Sequence, residues 1–289
     1  MITSPSPRLR LGRISYLNVL PIYHPLEDHW VRHDFDIVSG PPATLNGLIR
    51  AGELDLSACS SIEYARNPER YYLLPDLAIG SRGPVKSVLL LSRVPLHKLA
   101  DASVLVTAET HTSAALLRIV LERVHNVKPA FVKAPGSVRQ ALALGAQEPA
   151  VLAIGDEALA MRADPRFPYQ LDLGEVWRDW TGLPFVFGVW VARREAVAER
   201  REAVATASRT LCQSKHTGVA AIEEVVSLAA LTKPKMSRAE IRRYFGHLSY
   251  DLGQEEQQGL SRFFECLAEH GFIKAAPRLE ILDNSLQDG

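Results

Sequence analysis

Ser103-Val-Leu-Val-Thr107, then Glu109-Thr-His-Thr-Ser113, then Ala114-Ala-Leu-Leu-Arg-Ile-Val-Leu-Glu-Arg-Val124 is the stretch that sets the fold class. The first block is a short β-branched run. The last carries Ala114, Leu117, Leu121 and Val124 at intervals of three and four, the spacing of a helix with one core-facing stripe. Between them lies a junction rich in hydroxyl groups. Strand, polar junction and amphipathic helix make one βα unit.

The same pattern extends in both directions. Downstream, Ala130-Phe-Val132 reads as a strand, Gly136 to Leu144 as a helix, and Ala150-Val-Leu-Ala-Ile154 as a strand ending at Gly155-Asp156. Upstream, Leu9 to Ser15 reads as a first strand. A helix opened by Pro41-Pro42 places Leu45, Leu48 and Ile49 on one face and stops at Gly52. Asp55-Leu-Ser-Ala-Cys59 is a second strand leading into a short helix begun by Ser60 or Ser61, and Val85 to Ser92 suits a buried strand. Phe185-Val-Phe-Gly-Val-Trp-Val191 is long and apolar enough to cross between domains. From Glu195 onward the chain reads as helix after helix, over 195–214, 217–231, 237–246 and 254–270.

This alternation specifies α/β architecture. Two βαβ groups joined by two apolar crossings predict two lobes around a central cleft. Lobe one is expected over 1–95 plus 190–289, and lobe two over 96–189. Hinged closure on a small ligand follows from such a plan.

Composition narrows the ligand. With 289 residues, 47% of them hydrophobic and 23% charged, the chain can bury a substantial core. Thirty-three Lys and Arg balance 33 Asp and Glu, so the broad basic field of a nucleic-acid binder is missing. Cys59, Cys212 and Cys266 have neither a disulfide framework nor metal-ligand spacing and read as reduced thiols of a cytoplasmic protein. Met1 to Arg10 lacks the apolar stretch of a secretory signal, and no run reaches the roughly 18 apolar residues of a membrane span. No glycine-rich nucleotide loop, His-Glu-x-x-His or Gly-x-Ser-x-Gly sequence occurs, and the nine histidines are scattered. The expectation is a protein without cofactor or metal.

Small polar residues at strand-to-helix junctions remain. They are Ser15-Tyr16-Leu-Asn18, Ser60-Ser61, Ser87, Thr110-His-Thr112-Ser113 and Gly155-Asp156. In open α/β sheets these carboxyl ends border the ligand crevice. Helix N-termini there offer free N–H groups to carboxylates or phosphates. Each residue also has a plainer role: Asn18 as a turn residue, Thr110, Thr112, Ser113 and Asp156 as caps, His111 as a surface histidine. Trp177, Trp180, Phe185, Phe187 and Trp190 fit a core or a cleft wall. These residues describe a two-lobed binder of a small anion.

Several blocks carry a resemblance in order along the chain: Gly12-Arg-Ile-Ser-Tyr-Leu-Asn-Val-Leu-Pro21, Pro41 to Gly52, Leu54-Asp-Leu-Ser57, Ser60-Ser-Ile-Glu-Tyr64, Gly83-Pro-Val-Lys-Ser-Val88, Thr110-His-Thr-Ser-Ala-Ala115, Ile154-Gly-Asp-Glu-Ala158 and Trp177 to Val186. Together they resemble the futalosine-pathway menaquinone enzymes called MqnA, the chorismate dehydratases. The resemblance implies a periplasmic-binding-protein-like type II fold, with two crossover hinge strands, turned into a cofactor-independent hydro-lyase. Its substrate would be chorismate, a dicarboxylate. It implies catalytic roles for Asn18 and Asp156. Ser15, Tyr16, Ser60, Ser61, Ser87, Thr110, Thr112 and Ser113 would bind substrate, while Trp180, Thr181 and Leu183 would wall the closed cleft. A sister enzyme, 1,4-dihydroxy-6-naphthoate synthase, opens with a Ser-Pro-Cys-Pro-Asn type of signature, absent here; a non-catalytic binder of a carboxylated aromatic is the other alternative.

Overall fold

The computed structural model describes residues 8–283 apart from 108, 135 and 234, so most of the segment read for an export signal lies outside the described residues. Among them, ten strands form two five-stranded sheets. The first takes β1 (Arg10–Ile14), β2 (Asp36–Gly40), β3 (Leu56–Ser60), β4 (Tyr71–Ser81) and β10 (Phe185–Arg193), in the order β2-β1-β3-β10-β4. The second takes β5 (Val88–Ser92), β6 (Ser103–Val106), β7 (Ala130–Lys133), β8 (Ala150–Ile154) and β9 (Tyr169–Asp172), in the order β7-β6-β8-β5-β9. Each sheet has a parallel part, β2-β1-β3 or β7-β6-β8, and an antiparallel strand inserted beside it. Two sheets of one design make the two α/β lobes of a periplasmic-binding-protein-like fold.

Helices α1 (Leu20–Glu27), α2 (Pro42–Ala51) and α3 (Ser61–Arg66) belong to the first sheet's crossovers. Helices α4 (His111–Arg123), α5 (Val138–Ala143), α6 (Gly155–Met161) and α7 (Leu173–Thr181) belong to the second. The C-terminal series is α8 (Arg194–Ala220), α9 (Ile222–Thr232), α10 (Arg238–Phe245) and α11 (Gln254–Glu269). Among the described residues no helix is long and apolar enough to cross a membrane.

The lobes divide differently from the sequence expectation. β5 pairs with β8 and β9, so 88–92 is part of the second sheet rather than lobe one. Phe185–Arg193 lies wholly between β3 and β4, so it is a central strand of the first sheet and not a crossing. The crossings themselves are the non-strand segments 82–87 and 182–184, where hinge strands were expected. An apolar run is needed at a sheet centre as much as at a crossing, and composition alone does not separate the two.

The largest apolar cluster runs through both lobes and is closed by bulky groups such as Trp177 and Trp190, both fully buried. α1 and α8 pack closely because Gly218 has no side chain; a Cβ there would collide with the Pro21 carbonyl oxygen. A separate cluster of α9 and α10 residues encloses Leu17 of the first lobe and Leu159 of the second. The C-terminal hairpin therefore touches both lobes.

Candidate active site between the lobes

The carboxyl ends of β1, β3 and β8 and the junction between β6 and α4 converge on one pocket. Tyr16, Asn18, Cys59, Ser60, Phe187 and Gly188 line it from the first lobe; Ser87, Glu109, Thr112, Ser113, Ile154 and Gly155 line it from the linker and the second. Sheet register explains part of this gathering. Gly188 pairs with Ser60, and Val88 with Ile154, so residues distant in sequence arrive side by side.

Asn18 sits on a single 3-10 turn, Leu17–Val19, whose flanking Leu17 and Val19 are buried. Anchoring of both neighbours holds the amide at the pocket. Its Oδ1 is buried and has no hydrogen-bond partner among the described residues. Buried acceptors in folded proteins are nearly always paired, so an orphan at a pocket wall marks a place for a ligand donor.

Opposite, the 13-residue α4 presents its N-terminus with Thr112 and Ser113 among the lining residues. The first-turn N–H groups of a helix have no internal acceptors and carry partial positive charge. Thr112 Oγ1 accepts from the Ile62 N–H at 3.2 Å, which ties α4 to α3 across the lobes. Ser60 Oγ accepts from the Asn46 amide at 3.0 Å and keeps its proton to donate. Ser87 Oγ accepts from the Tyr244 hydroxyl at 3.1 Å and donates to the Val85 carbonyl at 3.5 Å.

Among the described residues the lining has no Lys or Arg, and Glu109 is its one carboxylate; its Oε2 accepts the Ala43 N–H at 3.1 Å, capping the start of α2. Burial pushes the Tyr16 hydroxyl well above its ordinary range, with the charges of Glu109, Asp156 and Glu157 adding to it. Burial, then Glu63, does the same to the Cys59 thiol. Both stay protonated at neutral pH: Tyr16 is a donor and Cys59 is no nucleophile. Burial and the charge of Arg66 push His111 down, keeping it neutral.

Other expected residues are placed elsewhere. Thr110 is buried, but its hydroxyl donates to the Thr107 carbonyl at 2.7 Å and is consumed by the turn. Ser61 Oγ meets Thr112 Oγ1 at 3.4 Å behind the lining. Ser15 and Asp156 border a wider outer cleft that continues from the pocket past Tyr16 and Glu109. Trp180, Thr181 and Leu183 do not line the pocket. Trp180 packs edge-on against Trp177, Thr181 bonds the Trp177 carbonyl and the Leu183 N–H, and Leu183 adjoins Gly259 of α11. The three lie at the end of α7 and in the 182–184 crossing, packed toward α11 and off the pocket. Phe187, read as core or cleft wall, is in the lining, whereas Glu109, Cys59 and Gly188 were not foreseen. Glu109 adjoins the hydroxyl junction and was within reach of the sequence; Gly188 depends on a long-range antiparallel pairing that no local pattern carries.

Comparison with known proteins places this chain in a family. The chain is 31% identical over 272 residues to chorismate dehydratase of Thermus thermophilus, covering 89% of this chain and 94% of that one. It is 28% identical to 1,4-dihydroxy-6-naphthoate synthase of Streptomyces coelicolor, covering 80% and 81%. Among solved structures, the periplasmic aliphatic sulphonate binding protein of Escherichia coli superposes with a TM-score of 0.65 at 14% identity, covering 96% of this chain and 99% of that one. The family model described as menaquinone biosynthesis matches residues 9–269, and with that span this chain belongs to the menaquinone biosynthesis family.

Proposed function

We propose that the protein is a chorismate dehydratase, a cytoplasmic hydro-lyase that converts chorismate to 3-[(1-carboxyvinyl)oxy]benzoate and water. The observation that carries this reading is one pocket lined both by Asn18, whose buried Oδ1 has no partner among the described residues, and by Thr112 and Ser113 of the first turn of α4. The relative named chorismate dehydratase matches over more of the chain, and at higher identity, than the naphthoate synthase does.

Chorismate carries two carboxylates on a small molecule with a cyclohexadiene ring. Loss of the C3 proton and the C4 hydroxyl leaves the ring aromatic. No electrons are gained or lost, so the reaction requires no redox coenzyme. The C3–H is acidified through the ring double bond conjugated to the C1 carboxylate, and negative charge grows there as the proton leaves. Oriented donors aimed at that carboxylate lower the barrier. In this reading the α4 N-terminus with Thr112 and Ser113 receives one carboxylate, and Ser60 donates to a substrate oxygen. Asn18 faces the reacting carbons and polarises the C4 hydroxyl. A neutral amide is a poor base, so Asn18 does not take the proton; in this reading a carboxylate of the substrate accepts it from C3 and passes it to the departing C4 hydroxyl, which leaves as water.

Incubation of the purified protein with chorismate, followed by chromatography, tests the proposal. An aromatic enolpyruvyl ether formed at micromolar enzyme supports it. Tight chorismate binding without turnover overturns it in favour of a binding protein, and turnover only of the sister enzyme's futalosine-derived substrate overturns it in favour of the synthase.

A further inference from the structure

Asp156 stands outside the pocket, yet it is bonded to the turn that carries Asn18. Its Oδ1 accepts the Leu17 N–H at 3.1 Å, and its Oδ2 pairs with Lys233 Nζ at 2.7 Å. The three groups come from three parts of the molecule. Asp156 lies in the first turn of α6 in the second lobe, Leu17 follows β1 in the first, and Lys233 caps α9 of the C-terminal hairpin. The hairpin is seated on both lobes, since its apolar cluster includes Leu17 and Leu159 and Arg162 of the second lobe meets Glu240 of α10 at 3.1 Å. Next to Asp156, Gly155 lies under the Tyr16 ring, with a Cβ position only 3.2 Å from Tyr16 Cδ2.

We infer that Asp156 is a positioning residue that seats Asn18 only when the lobes are shut, and that Lys233 makes the α9–α10 hairpin the strap holding them so. The physical reasoning has two steps. Leu17 N–H is adjacent to Asn18 on a turn of three residues, so a charge-assisted bond there fixes the amide's position directly. Because the acceptor belongs to the other lobe, separation of the lobes releases the turn. Lys233 neutralises Asp156 at the lobe junction; both side chains are partly exposed, so the pair contributes modestly and weakens with salt. Asp156 is thereby engaged through both oxygens and takes no part in proton transfer.

The turnover arm of the test rests on the proposed function; the other arm does not. Asp156→Ala is expected to lower kcat about 100-fold, the scale of a misplacement near 1 Å, while KM changes less than about fivefold. Asp156→Asn keeps an acceptor for Leu17 and is expected to retain kcat within about fivefold. Lys233→Met leaves the turn anchored and is expected to raise KM a few-fold, because substrate must then supply the closure that the strap had supplied. Amide hydrogen exchange without substrate reads the clasp itself: Leu17 is expected to exchange about tenfold faster in Asp156→Ala and near the native rate in Asp156→Asn. Equal losses of kcat in the Ala and Asn variants would make Asp156 a proton-transfer group and overturn the inference. Unchanged Leu17 exchange in Asp156→Ala would overturn it as well. If the wild-type protein leaves chorismate intact, the proposed function fails, and the exchange result still decides the clasp.

Discussion

Replacing Asn18 with Ala separates the chemistry of the site from the stability of the fold. Among the described residues the Oδ1 of Asn18 accepts no hydrogen bond, and the side chain is half-buried, so its truncation loses little of what holds the fold together. The net expectation is stability within about 1 kcal/mol of wild type, which in a chain of this size shifts Tm by no more than about 2–4 °C. Turnover moves far more. If the amide acts mainly on the reacting carbons in the transition state, its loss lowers kcat by at least about 100-fold, or about 2.7 kcal/mol. Product formation from chorismate over a range of concentrations gives kcat and KM, and a thermal melt gives stability on the same preparation. A variant with native kcat would remove Asn18 from the mechanism. A Tm lowered by more than about 5 °C would show that the amide is a structural group after all, and the orphaned acceptor would lose its meaning.

Three further outcomes follow from the site and its surroundings. Glu109→Gln keeps an acceptor for the Ala43 N–H and removes the one negative charge of the pocket wall, so KM for a dianion is expected to fall while kcat stays within about threefold; a collapse of kcat would identify Glu109 as the proton acceptor. Gly155→Ala places a side chain at φ +56°, against the Tyr16 ring, and is expected to cost about 1–2 kcal/mol in urea unfolding and to raise KM. Burial works to raise the Asp55 pKa, but hydrogen bonds from the Arg10 side chain and backbone, and the charges of Arg10 and Arg200, prevail and hold it below the ordinary carboxylate value. Its stabilising effect is therefore complete above the unfolded-state pKa and is lost as pH falls through the lower folded-state pKa. Urea midpoints from pH 7 down to pH 3 are expected to show a gap between wild type and Asp55→Asn that closes as the pH falls.

What the sequence made legible was local. The βα unit at 103–124 became β6 and α4 within a residue or two, because a β-branched run and a three-four apolar stripe are decided by neighbours. The polar junctions were legible for the same reason, and six of the expected binding or catalytic residues, Tyr16, Asn18, Ser60, Ser87, Thr112 and Ser113, line one pocket. β4 escaped notice because Pro75, Asp76 and Gly80 interrupt its apolar run, and in the folded chain the β4–β10 ladder shifts register nearby, with Asp76 at φ +54°. The division of roles among hydroxyl groups was equally hidden. Thr110 and Thr112 look alike in the sequence, yet one spends its hydroxyl on a turn and the other faces the opposite lobe. That distinction is fixed by the approach of α3 to α4, a contact between residues about 50 apart.

The absence of Lys and Arg from the lining has a consistent explanation in the proposed reaction. A guanidinium pair on each carboxylate would bind the ground state tightly, and uniform binding of substrate and transition state leaves kcat unchanged. Elimination concentrates additional charge on one carboxylate only, through the conjugated ring. A helix N-terminus with hydroxyl donors is a weaker and more directional source of positive potential than a side-chain cation, and it is fixed by the helix rather than by a flexible stem. Such a site stabilises charge where it grows. It also leaves product release unopposed by strong ion pairs, since the benzoate formed still carries both carboxylates. A fold that clasps small anions between two lobes becomes a catalyst in this account by two additions: an amide with an unfilled acceptor at the reacting carbons, and an acidic clasp from the second lobe that holds the amide's turn in place.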